Sequence, residues 1–188
     1  MRFVIGIIVL VAIGVGGYFL FGGEGFSRMS NLMSATAVVP STLTSDIPYT
    51  GAPLTKEYKN DRLGFSVSMP EDFNAQELMA DENGGMPIII QNASGEGVQI
   101  YVTQGQGDAR MITANDVRAS ISDMQVSDEE VVEIGSEHRG VAFKSDNEAF
   151  GGASREVWFF FRGNLYQIST YDHLDPLLKA MFSTWKFF

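Results

Sequence analysis

The chain of 188 residues contains no cysteine. This absence excludes disulfide bonds, a thiol nucleophile and a cysteine-ligated metal site. It also excludes a lipoprotein anchor, because lipidation of that kind needs a cysteine. If the protein is exported, its folded part must therefore be stabilised by packing alone.

Positive charge is scarce as well. The chain has 13 Lys and Arg against 23 Asp and Glu, and its formal net charge is −10. Nucleic-acid binding needs a basic face, so this balance argues against a nucleic-acid partner. It argues equally against docking onto anionic lipid head groups.

Histidine occurs only twice, at His138 and His173. His173 follows Asp172, and a His–Asp pair is one part of a nucleophile triad. However, Gly25-Phe26-Ser27 and Gly152-Ala153-Ser154 both lack the trailing glycine of a G-x-S-x-G elbow. We interpret His173 as part of the loop that caps the last helix. The alternative is a small hydrolase or small-ligand-binding domain that uses a pocket near His173.

Motifs for metals and nucleotides are incomplete. Gly95-x-Gly97 and Gly105-x-Gly107 lack the third glycine of a dinucleotide loop. A run of acidic residues lacks the offsets and the turn glycine of a calcium loop. That run consists of Asp123, Asp128, Glu129, Glu130, Glu133 and Glu137. The sequence therefore predicts no catalytic, cofactor-binding or metal-binding residues, no cofactor and no enzymatic activity.

Residues 3–21 form the longest apolar segment, with no charge, Asn, Gln or Pro among them. A helix of this length spans about 28 Å, close to the hydrocarbon thickness of a bilayer. Signal-peptide apolar regions are usually shorter, at about 7–15 residues. The pattern favours an uncleaved transmembrane anchor, residues 1–23, over a cleaved signal peptide.

The flanking charges predict the orientation of this anchor. Arg2 precedes the apolar segment, and Glu24 is the first charge after it. By the positive-inside rule, the N-terminus is cytoplasmic and the C-terminal domain is extracytoplasmic. We expect a single-pass plasma-membrane protein with a flexible linker at 24–56, which is rich in Ser, Thr, Gly and Pro.

Residues 57–188 show the periodicities of one globular domain of mixed class. Apolar residues alternate with polar ones around Phe65 and Ile100, as in half-buried strands. In the predicted strand 156–161, the side chains from Val157 to Phe161 are apolar on both sides, which predicts a strand covered on both faces. Helical patterns follow Thr113 and Asp175. The expected fold is α+β: an antiparallel sheet of about six to eight strands flanked by helices, an α/β/α sandwich.

Two segments resemble PsbP-like domains. Tyr58-x-Asn60 and Leu63-Gly64-Phe65-Ser66-Val67, followed by Pro70-Glu71-Asp72-Phe73, are similar to the opening of those domains. Leu165-Tyr166-Gln167-Ile168 and Thr184-Trp185-Lys186-Phe187 are similar to their closing hairpin and helix. The resemblance implies an α/β/α sandwich that acts by binding proteins. The group includes an extrinsic photosystem II subunit and a Ran-binding nuclear import factor, which share no chemistry.

These observations predict a non-catalytic protein-interaction module of a tethered bacterial type. Its expected partners are the membrane, through residues 3–21, and another envelope or membrane protein. A purely structural envelope subunit is a third alternative, beside the hydrolase or small-ligand domain.

Overall fold

The computed structural model describes residues 48–105, 112–121, 124–136 and 138–188. The predicted membrane anchor and most of the predicted linker lie outside these residues. Within the described ranges, every helix is too short or too polar to cross a bilayer.

The described residues form two antiparallel sheets. The strands are β1 (Leu54–Asn60), β2 (Phe65–Pro70), β3 (Asn74–Glu77), β4 (Met86–Gln91), β5 (Gly97–Gln104), β6 (Val126–Ile134), β7 (His138–Ser145), β8 (Ser154–Phe161), β9 (Asn164–Tyr171) and β10 (Lys186–Phe187). Seven of them make a sheet in the order β3-β4-β5-β9-β8-β7-β6. The other three make a small sheet in the order β1-β2-β10. The predicted antiparallel architecture is therefore confirmed.

The helices are few and short. They are α1 (Ala114–Ser120), α2 (Asp175–Ser183) and two 3-10 helices, Glu148–Phe150 and Asp172–Leu174. Thr113 caps α1 in a reciprocal arrangement with Asp116, which satisfies backbone donors at both residues. The first helical turn of α2 contains Pro176, whose missing N–H costs nothing at that position.

Two apolar clusters pack against the larger sheet. One contains Phe159 and Ile168 of the sheet, Phe65 of β2 and Leu178 of α2. The other contains Trp158 and Phe160 of β8 together with Val117 of α1. Every residue of β8 is buried, as the apolar residues on both sides of this strand predicted.

Strand β6 includes residues 127–130, whose charged sequence by itself predicts a loop. The strand begins at Val126 and pairs with β7. The pairing shifts between Ser127 and Glu130, and Asp128 has a φ of 50°. Charged residues and a bulge are typical of an edge strand, and they hide the usual strand pattern.

The strands give the domain two ends. The linker end contains the start of β1 at Leu54 and the end of β9 at Tyr171. The far end contains the β8–β9 turn at Arg162 and Gly163, and the β1–β2 turn at 61–64. The hydroxyl of Tyr166, on β9, donates to the Leu63 carbonyl at 3.3 Å, which joins the two sheets at the far end.

Candidate functional site

His173 lies at the linker end, in the 3-10 helix before α2. Its side chain is 62% exposed, and its Nε2 lies 3.3 Å from Oε1 of Glu96. Asp172 faces elsewhere, with Oδ1 3.2 Å from Nζ of Lys144. In a triad the carboxylate must hold the imidazole, which in turn must reach a nucleophile. The structure brings Asp172 and His173 to different partners, so it does not assemble this part of a triad.

Three of the four described carboxylates of the acidic run, Asp128, Glu129 and Glu130, lie beside cations. Glu129 pairs with Arg118 of α1, and Asp128 lies 3.8 Å from Lys144. Asp123 and Glu137, which belong to the same run, lie outside the described residues. Among the described residues, no group of three or more His, Cys, Asp or Glu side chains is placed to hold a metal ion.

Arg155 is the most buried cation of this network, with 4% of its side chain exposed. It contacts Glu130 on β6 and Asp175 at the start of α2. Burial lowers the pKa of its guanidinium, and the charge of Asp175 opposes that shift. The position of this group between β6, β8 and α2 indicates that it positions the helix on the sheet.

Glu156 is a buried carboxyl that the sequence reasoning missed. It accepts hydrogen bonds from Ser154 Oγ at 2.6 Å, from Ser145 Oγ and Asn147 Nδ2 at 3.3 Å each, and from Ser169. Burial raises the pKa of the Glu156 carboxyl, and the four hydrogen bonds oppose the rise. The available signal was a Glu directly before the apolar run of residues 157–161.

The far end carries a basic-aromatic cluster, which we define as Lys59, His138, Phe161, Arg162, Lys186, Phe187 and Phe188. The rings of Phe161 and Phe187 have centroids 4.3 Å apart, and His138 lies 5.0 Å and 4.2 Å from them. The cluster therefore has a packed aromatic base formed by β7, β8 and β10.

Two cations lie over aromatic rings of the cluster. Arg162 Cζ is 5.2 Å from the Phe161 ring centroid, and Lys59 Nζ is 4.8 Å from that of Phe188. The backbone N–H of Phe188 donates to the Gly64 carbonyl at 2.9 Å, yet the residue is 45% exposed. Exposed aromatic and Arg side chains together are typical of protein–protein interfaces. Sequence reasoning did not single out this cluster, whose members come from four separate segments.

No family model matches the chain, and no curated protein matches it. The fold is similar to the solution structure of cyanobacterial PsbP (CyanoP) from Synechocystis sp. PCC 6803, with a TM-score of 0.48 and 16% sequence identity. The match covers 78% of this chain and 99% of that one.

Proposed function

We propose that this protein is a single-pass membrane-anchored module that binds another protein. Residues 3–21 anchor it in the plasma membrane with the N-terminus in the cytoplasm. The PsbP-like domain, an α/β/α sandwich, lies on the extracytoplasmic side. The partner is another envelope or membrane protein, and the domain carries out no catalysis.

The basic-aromatic cluster is the observation that carries this proposal. It places an exposed Phe188 beside two exposed cations, Lys59 and Arg162, on a rigid sheet framework. A preformed surface of this kind binds with little ordering cost, since its rings are already packed. The buried ionisable groups Glu156 and Arg155 are held by neighbours within the domain, which fits a role in stability rather than in chemistry.

A tethering experiment tests the proposal. A protease site placed within residues 24–47 allows the domain to be released while the rest of the chain stays unchanged. A flexible linker holds a tethered domain near membrane partners at an effective concentration of the millimolar order. We therefore expect partner recovery after crosslinking to fall on release, at equal expression. An insertion without the recognition sequence, treated with the same protease, is the control.

Two results contradict the proposal. Equal recovery before and after release shows that the tether does not contribute to partner binding. Turnover of an ester or a peptide by the released domain, abolished by His173→Ala, shows instead that the domain is a hydrolase.

A further inference from the structure

Many acidic residues of the domain lie at the linker end, although Asp61, Asp81, Glu82 and Glu133 lie towards the far end. Those at the linker end occupy the β2–β3, β4–β5 and β7–β8 connections, the start of β6 and the segment after β9. The residues are Glu71, Asp72, Glu96, Asp128, Glu129, Glu130, Asp146, Glu148, Asp172 and Asp175. Much of the negative charge of the chain therefore faces the side where the linker joins.

The far end differs because some of its cations have no carboxylate partner. Arg162 and Lys186 are exposed and form no ion pair with any other described residue. By contrast, Arg118, Lys144 and Arg155 are each paired with Asp or Glu. A partner that supplies carboxylates at the far end would thus gain contacts that the domain itself leaves open.

The two ends are well separated along β1. Strand β1 begins at Leu54, within the last residues of the predicted linker 24–56, and reaches the far end at Asn60. At about 3.3 Å per residue this strand covers about 20 Å. The acidic linker end is repelled by anionic head groups, which favours an orientation with the basic-aromatic cluster away from the membrane. This orientation favours a protein over a lipid surface as the occupant of the cluster.

We infer that the basic-aromatic cluster docks an acidic protein segment, whose carboxylates contact Arg162 and Lys186 and whose apolar side chain packs on Phe188. This inference rests on the proposed function and assigns the surface and the partner chemistry to it. The segment belongs to a protein that the tethered domain reaches on the side facing away from the bilayer.

A peptide-binding experiment tests the inference with the full-length chain in a non-ionic detergent. The probe is a dye-labelled peptide of Glu and Gly residues around one Phe, and its control replaces every Glu by Gln. We expect the acidic peptide to bind, the Gln peptide to bind at least tenfold more weakly, and salt to weaken the acidic complex. The measurement is fluorescence anisotropy at two salt concentrations.

Two double variants locate the binding site. Arg162→Asn with Lys186→Gln should weaken binding about tenfold, since two exposed charge contacts together approach that factor. Asn suits the left-handed backbone of position 162, where φ is 48°. Arg118→Gln with Lys144→Gln removes the same charge from paired cations elsewhere and should change binding less than twofold. A cooperative unfolding transition in each of the three proteins verifies that they are folded.

Several outcomes would overturn the inference. One is that the two peptides bind equally, or that the two double variants weaken binding equally. Another is that anionic phosphatidylglycerol vesicles or single-stranded DNA bind the cluster more tightly than the acidic peptide. A third is self-association in sedimentation that Arg162→Asn with Lys186→Gln abolishes, because the occupant would then be a second copy of this chain.

The proposed function is tested separately by photo-crosslinkers placed on each face of the domain in intact cells. If no face captures a protein, the proposed function is wrong. If only faces other than the basic-aromatic cluster capture a protein, this inference alone is wrong.

Discussion

Trp185 joins α2 to both sheets through its indole ring. Only 4% of the residue is exposed, and its ring stacks on Phe65 with centroids 4.7 Å apart. It also meets Phe159 edge-on at 5.9 Å. These contacts make Trp185 the point where the C-terminal segment, β2 and β8 pack together.

We expect Trp185→Ala to lower the free energy of unfolding by about 3–5 kcal/mol, the usual cost of deleting a large buried aromatic side chain. Urea unfolding followed by far-UV circular dichroism measures the change. Phe188→Ala is the matched control, because that residue is 45% exposed and the loss of its ring should cost under about 1 kcal/mol. A similarly small loss for Trp185→Ala would mean that its ring is not part of the core.

Glu156 makes the stability depend on pH in a direction that can be worked out. Burial raises the folded-state pKa of its carboxyl above the unfolded value, so the folded state binds the proton more tightly. The contribution of Glu156 to the free energy of unfolding is therefore greatest below the pKa of its carboxyl in the unfolded state, about 4.3. This contribution is lost as pH rises through the pKa of the carboxyl in the folded state. The hydroxyls of Ser154 and Ser169 reduce this loss of stability, because they donate hydrogen bonds that stabilise the ionised carboxylate.

Glu156→Gln should remove this dependence, since an amide of the same shape stays neutral. We expect the unfolding free energy of the wild type, relative to the variant, to fall as pH rises above about 4.3, by at most about 1.4 kcal/mol per pH unit. Urea unfolding of both proteins from acidic to neutral pH measures the difference. Glu148→Gln, at an exposed position, serves as the control and should leave the slope unchanged. A constant difference across the range would show that the carboxyl titrates alike in both states.

At the scale of elements, local patterns were predictable and distant pairings were not. The hairpin of β8 and β9 follows from its apolar runs and from the glycine between them. The separate small sheet does not, because β2 pairs with β10 across more than a hundred residues, with Phe65 opposite Phe187. The basic-aromatic cluster depends on this same pairing, so composition and spacing could not reveal it.

The β8–β9 turn has a backbone that few residues adopt. Arg162 and Gly163 have φ values of 48° and 74°, which is the pattern of a type I′ turn. A Cβ at Gly163 would meet no atom within 4 Å, so its cost would come from the backbone alone. We expect Gly163→Ala to destabilise the domain by about 1–2 kcal/mol in urea unfolding. Arg162→Asn should leave the free energy of unfolding unchanged or raise it, because Asn tolerates this conformation. If both variants lost the same stability, the left-handed backbone of the turn would not be the cause.

At the scale of the whole molecule, the linker and many acidic residues lie at one end of the domain, and exposed cations and aromatic side chains lie at the other. The acidic linker end lies where the chain joins the domain, and the basic-aromatic cluster lies at the opposite end of β1. A formal charge of −10 keeps such a domain soluble, while the local cations still attract an acidic partner. The proposed arrangement turns the basic-aromatic cluster away from the bilayer, and the side of the membrane on which the domain lies is a separate proposal that rests on the flanking charges of residues 3–21.

Reporter fusions test this topology. A reporter active only outside the cytoplasm should be active when fused after Phe188, and one active only in the cytoplasm should be silent. Ser27→Lys with Ser30→Lys places positive charge just after the apolar segment and should weaken the preference. Thr42→Lys with Ser45→Lys adds the same charge beyond about 15–20 residues from that segment, so it should change little. The opposite reporter pattern in the unmodified chain would place the domain in the cytoplasm and contradict the proposed orientation.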